Sequence, residues 1–182
     1  MRPKHLTPGV LLVTFFVAVS TFAQQPPEDK SKRPSPPATA AVTLNGKQVT
    51  IDYSRPSLKG RKVGQELAPY GQVWRTGANE ATTLTTEVDL NIGGTKVPAG
   101  KYTLWTLPSE SDWKLIINKQ TGQFHTEYHP DRDFGRVPMN IKALSEPVET
   151  LRFQLKGEGG NKGTLAIAWE KTEVSVPFTV LR

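Results

Sequence analysis

From residue 41 onward, apolar and polar residues alternate in short runs broken by turn residues. Val42 and Leu44 lead into Asn45-Gly46, and Val49, Ile51 and Tyr53 resume the alternation on the far side. Side chains on a strand point to opposite faces in turn, so a period of two predicts half-buried strands. Asn-Gly between two such runs predicts a type I′ hairpin, because both residues accept a positive φ. Leu84, Val88, Leu90 and Ile92 all fall on even positions and predict one further strand, turned by Gly93-Gly94. Pro98-Ala99-Gly100 leads into a strand with Tyr102, Leu104 and Thr106 on one face and Trp105 and Leu107 on the other. Residues 113–117 are almost continuously apolar, which predicts a strand covered on both faces. Three last strands are expected at 151–155, 165–169 and 174–180, the first two joined by the glycine-rich 157–163.

The stretches between these runs read as loops. Residues 54–62 (SRPSLKGRK) are a basic loop in which Pro56 holds Arg55 extended and Gly60 permits a turn. Residues 64–69 have room for one helical turn, closed by Pro69. Residues 124–138 are polar and irregular, and 139–147 read as a connection. No stretch of the domain sustains helical spacing. The pattern therefore predicts an all-β fold, an antiparallel β-sandwich of about eight or nine strands with long loops.

Ahead of the sandwich the chemistry changes. Arg2 and Lys4 precede a ten-residue apolar run at 10–19, and Thr21-Phe22-Ala23 offers small residues before a cut. This is the form of a secretory signal peptide over 1–23, with cleavage expected after Ala23. The apolar run is half the length a membrane span needs, so no transmembrane anchor is expected to remain. Residues 24–40 hold five prolines and little that is apolar, which predicts a disordered linker before a domain at 41–182. The chain has no cysteine, so the domain must stand on its core without disulfides. Removing 1–23 takes away two of the 23 basic residues and none of the 17 acidic ones, leaving +4. That charge is scattered rather than striped, which argues against nucleic acid as a partner. The expected compartment is the periplasm or the exterior.

The candidate chemistry centres on residues 70–82 (YGQVWRTGANEAT), where the alternation breaks. A loop here brings Trp74, Arg75, Asn79 and Glu80 together. An aromatic face, a forked donor and two directional polar groups suit a carbohydrate or another polar small ligand. The same residues suit a brace, with Trp74 closing one end of the sandwich. A hydrolase or lyase with Glu80 as acid or base and Arg75 stabilising negative charge is a further alternative. Arg55 and Lys59, with Arg61 and Lys62, offer cations to an anionic ligand. His125, Glu127 and His129 form H-x-E-x-H, which on a strand would align three metal ligands. No nucleophile elbow, phosphate loop or dinucleotide fingerprint is present, and no cofactor is expected.

Several of these stretches together resemble one family. Tyr53-Ser54-Arg55-Pro56, Lys59-Gly60-Arg61, the whole of YGQVWRTGANEAT, Val97-Pro98-Ala99-Gly100-Lys101-Tyr102 and Glu127-Tyr128 with Asp133 and Arg136 are similar to DUF2911, a family of exported bacterial domains of unknown function. The resemblance runs from about residue 41 to the C-terminus. It implies an exported domain and assigns no catalytic residue. Its members tend to carry Trp-Gly where this chain has Phe124-His125, which separates the histidine pair from the family pattern.

Overall fold

The computed structural model describes residues 28–123 and 126–181. The expected signal peptide and the first residues of the linker lie outside them. Ten strands follow a short 3-10 turn at Lys30–Lys32: β1 Pro37–Leu44, β2 Lys47–Ser54, β3 Thr83–Thr86, β4 Leu90–Ile92, β5 Thr95–Val97, β6 Gly100–Leu107, β7 Lys114–Asn118, β8 Asp133–Pro138, β9 Asn140–Gly159 and β10 Lys162–Val180. A second 3-10 turn, Pro130–Arg132, precedes β8. One sheet has the order β1-β2-β3-β6-β7-β8 and the other β5-β4-β10-β9. Among the described residues no helix is long and apolar enough to cross a membrane.

The alternation decides the layers. Ile51, Leu84, Leu104, Leu115 and Ile117 of the first sheet are buried on one face. Leu90, Ile92, Leu151, Leu165, Ile167 and Val176 of the second sheet oppose them in the same core. Two sheets meeting on their apolar faces form a β-sandwich. The β1–β2 hairpin turns at Asn45 and Gly46, with φ of 50° and 72°, as a type I′ turn requires.

β10 is not one straight strand. The Val180 N–H donates to the Asn161 carbonyl at 2.8 Å, and Asn161 Nδ2 donates back to the Val180 carbonyl at 2.9 Å. An extended run of that many residues would span on the order of 60 Å, so the element doubles back. The reversal sits at Glu170, whose φ is 52°. The two expected strands at 165–169 and 174–180 are its two arms. Opposite them β9 carries extra residues, with register shifts on both sides of Glu170. At the resulting bulge, the basic 56–59 loop attaches as a short extra strand. Leu58 N–H donates to the Glu149 carbonyl at 2.9 Å, and Leu151 N–H donates to the Pro56 carbonyl at 3.0 Å.

The stretch from Leu84 to Ile92 is not one strand but β3 and β4, which belong to different sheets. Both pieces turn their even-numbered residues into the same core, so the alternation runs unbroken across the crossover. Residues 64–69 form no helix. Gly64 has φ of 85° and its N–H donates to the Leu67 carbonyl at 2.7 Å, a left-handed start that closes a turn. Residues 133–138 and 139–147 contribute strand β8 and the start of β9. Both are edge strands, and exposure on an edge removes the apolar signature. β1 begins at Pro37, within the stretch expected to be linker.

The face of the six-stranded sheet that points away from the core carries polar rows. Cross-strand register aligns Thr39, Asp52, Thr83 and Thr103 in one row and Thr50, Thr85 and Lys101 in the next.

Candidate functional site

The central loop divides into an inward and an outward half. Trp74 leads the inward half. Its N–H donates to the Thr106 carbonyl at 2.8 Å and Thr106 N–H returns a bond at 2.9 Å, which ties the loop to β6. The Trp74 ring stacks on Trp169 at 5.4 Å between centroids. Trp113, Leu151 and Ile167 surround the pair. Three fully buried threonines hold the loop below it, a role that the sequence reading missed. The Thr76 hydroxyl lies 3.1 Å from the Trp74 carbonyl and 3.0 Å from the Thr106 hydroxyl, and the Thr82 hydroxyl donates to the Thr76 carbonyl at 2.9 Å. Gly77 packs against this knot: a Cβ there would stand 2.7 Å from Thr82 Oγ1.

Arg75 is turned to its own loop. Its Nε donates to the Gly77 carbonyl at 3.0 Å. Partial burial pushes its pKa below the usual guanidinium value. It makes no ion pair with Glu80, whose cations come from elsewhere.

The outward half fastens the segment before β1. Asn79, at φ 55°, donates from Nδ2 to the Ser35 carbonyl at 2.8 Å. Glu80 accepts from Lys30 Nζ at 2.7 Å and from Arg33 Nη1 at 2.9 Å to each carboxylate oxygen. The bond from Lys30, its own backbone N–H and then Arg33 hold the Glu80 carboxyl down at about 2. Arg33 also pairs with Glu28 at 2.6 Å. Lys30 and Arg33 carry no sequence signal beyond charge in a proline-rich stretch, and their partner lies about fifty residues away.

Arg55 and Lys59 face β9. Arg55 Nε reaches the Leu151 carbonyl at 3.4 Å, and Lys59 N–H donates to Glu149 Oε1 at 3.0 Å. Arg61 bonds the Leu58 and Ser57 carbonyls. The basic loop therefore binds its own backbone and β9, and its polar contacts do not run to Arg75.

Of the candidate metal ligands, His125 lies outside the described residues. Glu127 and His129 are exposed, on irregular chain rather than a strand. Among the described residues no group of three or more His, Cys, Asp or Glu could hold a metal ion. Tyr128, between Glu127 and His129, packs on Trp105 at 5.0 Å between ring centroids. Its hydroxyl donates to Asp133 Oδ2 at 2.6 Å and accepts from Arg136 Nη2 at 2.8 Å. Burial, then the Asp133 carboxylate, push the Tyr128 phenol up to about 12.

Between the fastened segment and the polar rows lies an open groove of about 360 Å³. Thr39, Asp52, Thr83, Thr85 and Lys101 line it, together with the paired Glu80 and Lys30. The Thr39 hydroxyl donates to Asp52 Oδ1 at 2.6 Å, which orients the carboxylate of this exposed residue. The groove thus presents hydroxyls, carboxylates and two ammonium groups, those of Thr39, Asp52, Thr83, Thr85 and Lys101 at strand spacings.

A family model described as a protein of unknown function, DUF2911, matches residues 35–178. No curated protein and no solved structure matches the chain.

Proposed function

The chain belongs to the DUF2911 family, and on that premise we propose that it is an exported, non-catalytic module that binds a carbohydrate or another polar small ligand. The ligand site is the outer groove, and the central loop is its foundation. One observation carries this reading: a concave surface of about 360 Å³ in which Thr39, Asp52, Thr83, Thr85 and Lys101 stand in register on rigid strands. Groups held by a sheet are oriented before a ligand arrives, which lowers the ordering cost of binding. Vicinal hydroxyls of a sugar match such alternating acceptors and donors. Export rests on the charged, apolar and small-residue succession of 1–23.

The hydrolase or lyase alternative has less support. A general acid must hold a proton near neutral pH, and a carboxyl held at about 2 is ionised and weakly basic. Arg75 is half-buried, its Nε is spent on the Gly77 carbonyl of its own loop, and it makes no contact with Glu80. The bracing alternative is favoured for part of the motif by the Trp74–Trp169 stack. It accounts for Trp74, Thr76 and Gly77 and leaves the groove unexplained.

The test is an amide chemical-shift titration of the folded protein with glucose, galactose and glucuronic acid. The reading expects shifts gathered at Thr39, Asp52, Thr83, Thr85 and Lys101, weakened at least about tenfold by Asp52→Ala, as loss of a charged hydrogen bond implies. Shifts gathered at Trp74 and Arg75, or none with any sugar, would overturn it.

A further inference from the structure

We infer that the groove recognises an amine-bearing, hydroxylated ligand of the amino-sugar class, and that Lys30 and Arg33 are its built-in competitors. The inference rests on the groove being a ligand site. Lys30 lines the groove and places its ammonium 2.7 Å from Glu80, while Arg33 adds a forked guanidinium to the same carboxylate. These two side chains occupy Glu80 as a cationic ligand would.

The segment carrying them is attached firmly at one end only. Near β1, Asn79 holds the Ser35 carbonyl, and the Arg55 N–H donates to the Pro36 carbonyl at 2.9 Å. Upstream, the turn Lys30–Lys32 is closed by Asp29, whose Oδ1 accepts from Ser31 N and Oγ, and it buries no residue. Ion pairs are therefore what press this end onto the domain. The Lys30 and Glu80 side chains are 52% and 53% exposed, so water and salt screen their pair, whereas Arg33, 21% exposed and bonded to both oxygens, is the firmer of the two contacts. The Lys30 contact is the one that yields first to a ligand ammonium making the same bond.

Without Lys30, the charged groups among the described residues lining the groove are the carboxylates of Asp52 and Glu80 and the ammonium of Lys101. An incoming ammonium replaces Lys30 on Glu80. Hydroxyls on the same small ring reach Asp52 and the threonine rows. A neutral sugar keeps the second set of contacts and lacks the first.

Calorimetric titration of the full protein, with 28–36 retained, tests this with glucosamine and N-acetylglucosamine as probes at mildly acidic pH, where the free amine is protonated. Glucosamine is expected to bind wild type more tightly than its neutral acetyl form. Lys30→Ala/Arg33→Ala is expected to bind glucosamine at least about fivefold more tightly, the scale of two surface ion pairs, with N-acetylglucosamine unchanged. Glu80→Gln is expected to bind the two probes alike. It is also expected to speed tryptic cleavage after Lys30 and Lys32 by freeing the strap. Equal binding of both probes in all three proteins, or cleavage unaltered by Glu80→Gln, would overturn the amine specificity and its competitor while leaving the groove a sugar site. Binding of neither probe to any variant would bring down the groove reading itself.

Discussion

The indole of Trp74 lies nearly parallel to that of Trp169, with an interplanar angle of 15° and 5.4 Å between ring centroids. Trp169 is 4% exposed on the doubled-back β10, and Trp74 is tied by its backbone to β6, so the pair joins the two sheets. Trp74→Ala removes one half of that joint. Trp74 is partly buried, so the expected loss is about 2–3 kcal/mol, below the range for truncating a fully buried aromatic. Urea unfolding measures it, and a loss under about 1 kcal/mol would mean that the ring is a surface group.

Gly77 is a packing glycine. A methyl group there meets Thr82 Oγ1 at 2.7 Å and the Ser54 carbonyl at 3.4 Å, and Thr82 is fully buried and bonded to Thr76. Gly77→Ala is expected to destabilise by about 1–3 kcal/mol, as overpacking does. Gly71→Ala, in the same loop, meets nothing within 4 Å and is strained only by its φ of 76°. Thermal melting of the two variants side by side separates the clash from a general intolerance of the loop.

Glu80 links the strap to pH. Its carboxyl is lowered from an ordinary 4.5 to about 2 by Lys30, its own amide and Arg33. A lowered carboxyl stabilises the folded state above the unfolded value and loses that contribution as pH falls through the folded one. Wild type is therefore expected to exceed Glu80→Gln in stability above about pH 4.5, with the gap closing toward about pH 2. Solvent screening of this half-exposed group keeps the gap below about 1 kcal/mol. Denaturant titrations of both proteins across that window measure it. A gap that persists at the acid end would place the stabilisation in something other than ionisation.

Tyr128 titrates at the other extreme. Burial against Trp105 and the bond to Asp133 raise its phenol to about 12. A raised pKa gives stability that is complete below the unfolded value of 10 and is lost as pH rises through the folded one. Ultraviolet titration of tyrosine is expected to show a late step that Tyr128→Phe removes. The same substitution is expected to abolish the excess fall in stability above pH 10.

The fold was largely legible because its strands alternate. Val49, Ile51 and Tyr53 face one way, and Asn45-Gly46 turns them as its backbone preference dictates. Residues 113–117 were read as covered on both faces, and Ile116 and Ile117 are both fully buried. Alternation is blind to which sheet a strand joins, so β3 and β4 looked like one strand. It is also silent at exposed edges, where Ile141 pairs with Val174 yet remains 39% exposed. The site was legible only in part. Trp74, Asn79 and Glu80 stood out by residue type, but whether a side chain points into a core or toward a groove is decided by contacts distant in sequence. Trp74 finds Trp169, and Glu80 finds Lys30 and Arg33. Asp52 and Lys101 look like ordinary outward residues of two strands until β3 places them on one surface.

The most direct test compares Trp74→Phe with Asp52→Ala, reading melting temperature and glucosamine affinity on the same samples. The account predicts that Trp74→Phe melts several degrees lower and binds as wild type does, while Asp52→Ala melts as wild type does and loses most of its binding. The opposite pairing, with binding lost in Trp74→Phe and kept in Asp52→Ala, would put the ligand on the central loop and contradict the account.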